Sequence, residues 1–106
     1  MVELKEIRKL SSQIAREFEP ERIVLFGSYA KGSANADSDV DLLVVMPFRG
    51  SSARMAAAIL NHVNPEIPVE ILVRTPAQLR ERLAQSDFFL REIMDEGKIL
   101  YAVSHR

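Results

Sequence analysis

Two short groups of side chains in this sequence suit chemistry. Gly27-Ser28 closes an apolar run, Ile23 to Phe26, and Asp39-Val40-Asp41 leads into another, Leu42-Leu43-Val44-Val45. A glycine at such a turn lets a phosphate or a second strand approach the backbone, because no Cβ stands in the way. Ser28 adds a hydroxyl where a helical turn would begin, and free backbone N–H groups there favour an anion. Side chains alternate faces along a strand, so Asp39 and Asp41 point the same way, with Cα atoms roughly 6.5–7 Å apart. From that separation two carboxylates can share one Mg²⁺ at a ligand distance of about 2.1 Å. Val40 between them faces the core. Without a cation the two acids repel, and one keeps its proton to a higher pH than usual.

Each group also has a plainer reading. Gly27-Ser28 can be a strand-to-helix turn with Ser28 as N-cap, and Asp-x-Asp can be a solvated loop end, as Asp37 is expected to be. Glu70 is the third informative residue, the only charge between Ile67 and Val73. An ionised carboxylate on an apolar strand is costly unless it has a partner or reaches the rim. Either Glu70 faces water from an edge strand, or it joins Asp39 and Asp41 around metal or accepts a proton from an attacking hydroxyl. Lys31 and Arg49 lie in nearby loops, as phosphate contacts or solvated surface charges. Tyr29 packs or stacks. His62 and His105 lack ligand spacing, and the phosphate-binding pattern Gly-x-x-x-x-Gly-Lys-Ser/Thr is absent.

The elements that must position these residues follow from periodicity. Leu4, Ile7, Leu10, Ile14 and Phe18 recur at helical steps, and Pro20 stops that helix. Arg22 to Phe26 reads as a buried strand, residues 28–31 as one helical turn, residues 32–38 as loop and Val40 to Met46 as a strand. A helix carrying Met55, Ala56, Ile59, Leu60 and Val63 follows, then a strand from Pro68 to Val73. Thr75 is the expected N-cap of the next helix, with Pro76 at its first position. Phe88 to Glu96 gives a last helix, after which Gly97 suits a left-handed residue, and Lys98 to Ala102 a fourth strand. The link between the first two strands is too irregular for a βαβ crossover. An α+β fold with a mixed four-stranded sheet packed by helices is therefore expected.

Composition narrows the function. The 106 residues suit one domain, 1–106. Fourteen basic and fifteen acidic residues leave a net charge of -1, so no global basic field attracts nucleic acid and no direct nucleic-acid binding is expected. The lack of cysteine excludes disulfides, thiolate catalysis and zinc-thiolate sites. No apolar run approaches the ~18 residues of a membrane span, and Met1 to Glu6 is too charged for a secretory signal. A soluble cytoplasmic protein is expected.

Gly27-Ser28, ten residues, then Asp39-Val40-Asp41 resembles the signature of the DNA polymerase beta-like nucleotidyltransferase superfamily. At ordinary residue usage the spacing arises by chance on the order of once in a thousand such chains. The fuller stretches Phe26 to Ser33 and Ser38 to Leu42, with Gly97-Lys98-Ile99-Leu100-Tyr101, are similar to the minimal nucleotidyltransferase (MNT) proteins of bacteria and archaea. The resemblance implies the polymerase beta-like palm fold, with Gly27 and Ser28 holding nucleotide phosphates and Asp39 and Asp41 binding one or two Mg²⁺ ions. Glu70 stands where the family commonly has Asp, as a third metal ligand and catalytic carboxylate. The implied reaction is attack of an acceptor hydroxyl on the α-phosphorus of a nucleoside triphosphate, ATP above all, with release of pyrophosphate. MNT proteins typically assemble with a helical HEPN toxin, act as its antitoxin and can transfer AMP to a tyrosine of it. The resemblance implies the same partner here, since the chain ends without a domain for another acceptor. Two alternatives stay open: an antitoxin that neutralises by binding alone, and a nucleotidyltransferase for a small hydroxyl compound.

Overall fold

The computed structural model describes residues 1–103, so His105 lies outside the described residues. The elements run α1 (Leu4–Phe18), β1 (Arg22–Phe26), α2 (Ser28–Lys31), β2 (Val40–Val45), α3 (Ser52–Val63), β3 (Val69–Arg74), α4 (Pro76–Ala84), α5 (Phe88–Glu96) and β4 (Lys98–Ala102). This is the order that the periodicity predicts. Met46 and Pro68, expected inside strands, lie just outside, yet Met46 N–H donates to Arg74 O (3.0 Å) and Val40 N–H to Pro68 O (2.9 Å).

The sheet has the order β3-β2-β1-β4. β1 is antiparallel to both β2 and β4, while β2 and β3 are parallel. The mixture follows from the connections. α2 has only four residues, too few to carry the chain across the sheet, whereas the twelve residues of α3 make a parallel crossover from β2 to β3.

Helices cover both faces. Ile23, Leu25, Val40, Leu42 and Val44 pack on one face against Ile7, Leu10 and Ile14 of α1 and Ile59 and Val63 of α3. Val24, Leu43 and Val45 pack on the other against Leu79 of α4 and Leu90 and Ile93 of α5. A central strand buried on both faces reads as a continuous apolar run, as β2 does after Asp41. Thr75 caps α4 with a full capping box, accepting from Gln78 N–H at 3.0 Å while Gln78 Oε1 accepts from Thr75 N–H at 3.0 Å.

Three local expectations are corrected. Ser28 is not the N-cap of α2; Gly27 is, with φ 74° and ψ -154°, a region open to glycine but strained for other residues. Gly97 is extended, with φ -71° and ψ 165°, and glycine stands there for space instead. A Cβ on residue 97 would lie 2.4 Å from Ile93 O and 2.6 Å from Val24 Cγ1. Leu4 sits in the first turn of α1 and is 46% exposed, although its spacing matches the buried stripe.

Candidate active site

Asp41 is the register partner of Phe26 across the antiparallel β1–β2 pair and of Glu70 across the parallel β2–β3 pair. The three residues form one row across neighbouring strands, each Cα about 5 Å from the next. They lie on the face that α4 and α5 cover, two positions along from Val24, Leu43 and Leu72, beyond the buried core of that face. Val40 points the other way and is fully buried, as expected. Glu70 is exposed on β3, an edge strand, and is the register partner of Asp41.

Asp39 lies just before β2, exposed, at the end of a structured loop. In that loop Asn35 Oδ1 accepts from Asp37 N–H (2.8 Å) and Ser38 Oγ accepts from Asn35 N–H (2.9 Å). Such side-chain turns set the direction of entry into a strand. Asp37 is an exposed turn residue, as expected.

The Gly-Ser turn and the carboxylate pair meet at one point. A Cβ built on Gly27 would lie 2.2 Å from Asp41 Oδ2 and 3.1 Å from Asp41 Cγ, so the carboxylate fills the space that the missing side chain leaves. Gly27 makes room for the side chain of the neighbouring strand, Asp41, as well as for any phosphate.

Asp41 holds its proton up to a pKa of about 6. Burial is the largest cause, followed by the charge of Glu70, a side-chain hydrogen bond with Glu70, and the charge of Asp39. Repulsion between the two aspartates was the expected cause, but burial and Glu70 outweigh it. An ionised carboxylate pressed against a strand loses hydration that a neighbouring acid cannot replace.

A cavity of about 350 Å³ opens beside the row, and its wall includes Phe26, Gly27, Asp41, Glu70, Phe89 and Lys31. Lys31 ends α2 and its Nζ is 2.6 Å from Glu92 Oε1 of α5, with Glu96 Oε2 at 4.0 Å. Glu92 and Glu96 also line the cavity. The hydrogen bond and charge of Glu92 raise the Lys31 pKa, and Lys31 lowers that of Glu92. Acids therefore outnumber bases around the cavity. A polyphosphate entering it would meet net repulsion unless a cation came with it.

Hard carboxylate oxygens suit Mg²⁺ rather than a soft metal. Among the described residues no three His, Cys, Asp or Glu side chains already converge in a group that could hold a metal ion. The adjacent acids Asp41 and Glu70 still fit the common mode of Mg²⁺, which uses one or two carboxylates and completes its shell with water and substrate phosphates.

The other sequence candidates lie elsewhere. Tyr29 packs against the α1 side of the core, and its hydroxyl accepts from Val2 N–H at 3.1 Å. Arg49 is exposed in the bend before α3. His62 is paired with Glu17 and stands edge-on to Phe18 at 5.4 Å. Phe89 was not foreseen as a site residue. Its ring meets Phe26 edge to face at 5.8 Å and 84°. A signal was present: Phe88, Phe89 and Leu90 are consecutive, and a helix with one buried stripe cannot bury all three.

The model of the nucleotidyltransferase domain family matches residues 7–100 of the chain. The chain belongs to this family. This nucleotidyltransferase is 28% identical over 82 residues to a protein of Methanocaldococcus jannaschii provisionally named a protein adenylyltransferase, covering 76% of this chain and 77% of that one. Its fold is similar to that of a provisionally named nucleotidyltransferase from Sulfolobus solfataricus, with TM-score 0.59 at 21% identity over 74% of this chain and 71% of the other. It is also similar to a chain in a crystal structure of a toxin–antitoxin with AMP-PNP, with TM-score 0.60 at 20% identity over 92% and 74% of the two chains. A mutant of the toxin–antitoxin MntA–HpeT matches with TM-score 0.54 at 19% identity over 97% and 75%. The α+β fold with its mixed sheet is thus shared with these structural neighbours. Among the described residues no helix is long and apolar enough to cross a membrane.

Proposed function

We propose that this nucleotidyltransferase moves AMP from ATP to a hydroxyl, that of a tyrosine on a helical HEPN toxin, and so acts as the antitoxin of that partner. The observation that carries the reading is the contact of the Gly27 turn with Asp41, and of Asp41 with Glu70, in one row beside one cavity. The family supports nucleotidyl transfer. The names of the relatives, a protein adenylyltransferase and two toxin–antitoxin structures, one with AMP-PNP, support the nucleotide and the kind of partner.

In this reading Gly27 and Ser28 hold the phosphates, while Asp39, Asp41 and Glu70 hold Mg²⁺. The cation supplies neutralisation of phosphate charge and a lowered pKa for the acceptor hydroxyl. The chain's own part is to place the α-phosphorus against the acceptor. The acceptor oxygen bonds to that phosphorus, the bond to the bridging oxygen breaks, pyrophosphate leaves, and Glu70 takes the hydroxyl proton. Glu is one methylene longer than the Asp common in the family, which affects rate more than metal binding because base geometry tolerates little displacement.

Two observations favour a second reading, neutralisation by contact alone: Glu70 is exposed, and among the described residues no three acids are preassembled for a cation. One experiment separates the two. The toxin partner is co-expressed, and its intact mass is measured before and after ATP and Mg²⁺. The enzymatic reading expects a gain of one or more AMP units, absent with Asp39→Ala/Asp41→Ala. Labelling that persists in the double variant removes the metal assignment, and neutralisation without any mass gain establishes the contact-only antitoxin.

A further inference from the structure

The cavity beside the acidic row has a mixed lining. Gly27, Lys31 and the carboxylates contribute polar groups, and Phe26, Phe89 and Ile93 apolar ones. Ile93 is buried, but Phe89 is 55% exposed, an unusual position for a large ring packed beside charged groups. The edge-to-face contact of Phe26 and Phe89, with centroids 5.8 Å apart, holds the two rings as a corner. Phe26 is rooted in β1 directly opposite Asp41, so the two Cα atoms are about 5 Å apart.

We propose that this aromatic corner is the nucleobase site, with Phe89 the residue on which the base stacks. The proposal deepens the nucleotide-transfer reading and rests on it. Phosphates kept near Gly27 leave the sugar and base to extend along the same cavity, where the aromatic rings among the described lining residues are those of the corner. Glu92 and Glu96, on the same helix as Phe89 and also lining the cavity, repel phosphate and tolerate a neutral base. An aromatic face accepts any base, because every base has a π-face, so the corner supplies affinity before it supplies choice. Phe88 is 80% exposed and does not line the cavity, which makes it a built-in comparison.

The test compares binding of ATP and of inorganic tripolyphosphate, both with Mg²⁺, to the whole chain. Stacking on one aromatic ring corresponds to roughly 5- to 100-fold in affinity. Phe89→Ala is expected to weaken ATP by about that factor and leave tripolyphosphate unchanged, while Phe88→Ala changes neither. The chain has no tryptophan, so Phe89→Trp installs a single tryptophan, whose emission, excited beyond the absorption of the two tyrosines, is expected to be quenched by ATP and not by tripolyphosphate. Equal weakening of both ligands by Phe89→Ala, or ATP binding indifferent to it, overturns the proposal. Indifferent ATP binding with loss of AMP transfer to the partner would instead assign the corner to the protein acceptor. If tripolyphosphate and ATP bind wild type equally well, the base has no site here although the phosphate site stands; if neither binds, the nucleotide-transfer reading fails as well.

Discussion

The carboxylate of Asp41 occupies the place of the side chain that residue 27 lacks, with Oδ2 2.2 Å from where a Cβ on Gly27 would stand. One glycine therefore serves two needs, a left-handed backbone at φ 74° and room for an acid on the neighbouring strand. Gly27 and Asp41, 14 residues apart in sequence, are one packed unit.

Gly27→Ala tests that unit. The added methyl must displace the Asp41 carboxylate and also strain the backbone, an expected cost of about 1–3 kcal/mol in unfolding by urea. Mg²⁺-dependent ATP binding should fall with it. Gly32→Ala is the comparison, with φ 76° but nothing within 4 Å of the new Cβ. It should cost about 1–2 kcal/mol from backbone conformation alone and leave ATP binding intact.

Asp41 makes stability depend on pH in a defined direction. Its folded pKa of about 6 lies above the ordinary 3.8, so the folded chain holds the proton more tightly than the unfolded one. The contribution to stability is complete below about pH 4 and is lost as pH rises through about 6. Asp41→Asn, which never ionises, should exceed wild type in stability by about 1–2 kcal/mol at pH 8, the exposed part of the carboxylate reducing the full effect of the shift. The advantage should shrink to nothing near pH 4. Glu70→Gln should lower the Asp41 pKa without restoring 3.8, because burial is the larger cause. Carboxyl-carbon NMR titration of Asp41 measures both.

Ser11 is buried in α1, 3% exposed, and its hydroxyl has no hydrogen-bond partner among the described residues. A buried unpaired hydroxyl costs about 1–3 kcal/mol. Ser11→Ala should therefore raise stability by about 1 kcal/mol or more, visible as a higher thermal midpoint. Nucleotide binding should not change, since α1 lies on the face opposite the cavity.

Gly97→Ala should act on the cavity lining. Its Cβ would meet Ile93 O, Val24 Cγ1 and Leu25 O at 2.4, 2.6 and 2.9 Å, and two of these are backbone atoms that cannot turn away. A loss of about 1–3 kcal/mol is expected on overpacking grounds. Because Gly97 and Glu96 line the cavity, ATP affinity should fall together with stability.

Much of this architecture is legible in the chain because the determinants are local. The apolar period of α1, the β-branched run of β1, the Thr75-Pro76 start of α4 and the small-residue loop into β2 each specify their own segment, and the mixed sheet follows from which links are long enough to cross it. The spacing from Gly27-Ser28 to Asp39 and Asp41, with Glu70 on the next strand, points to nucleotide chemistry through its resemblance to the nucleotidyltransferase signature. Register and burial are different in kind. Only pairing of β1, β2 and β3 places Phe26, Asp41 and Glu70 in one row, and only the closeness of Gly27 to Asp41 gives that glycine its reason. The raised pKa of Asp41 comes first from lost hydration, a property of neighbours distant in sequence. The same holds for Gly97, whose role changes from a turn to a tight contact once Ile93 and Val24 are in place, and for Phe89, left half exposed at the cavity because Leu90 takes the buried side of α5.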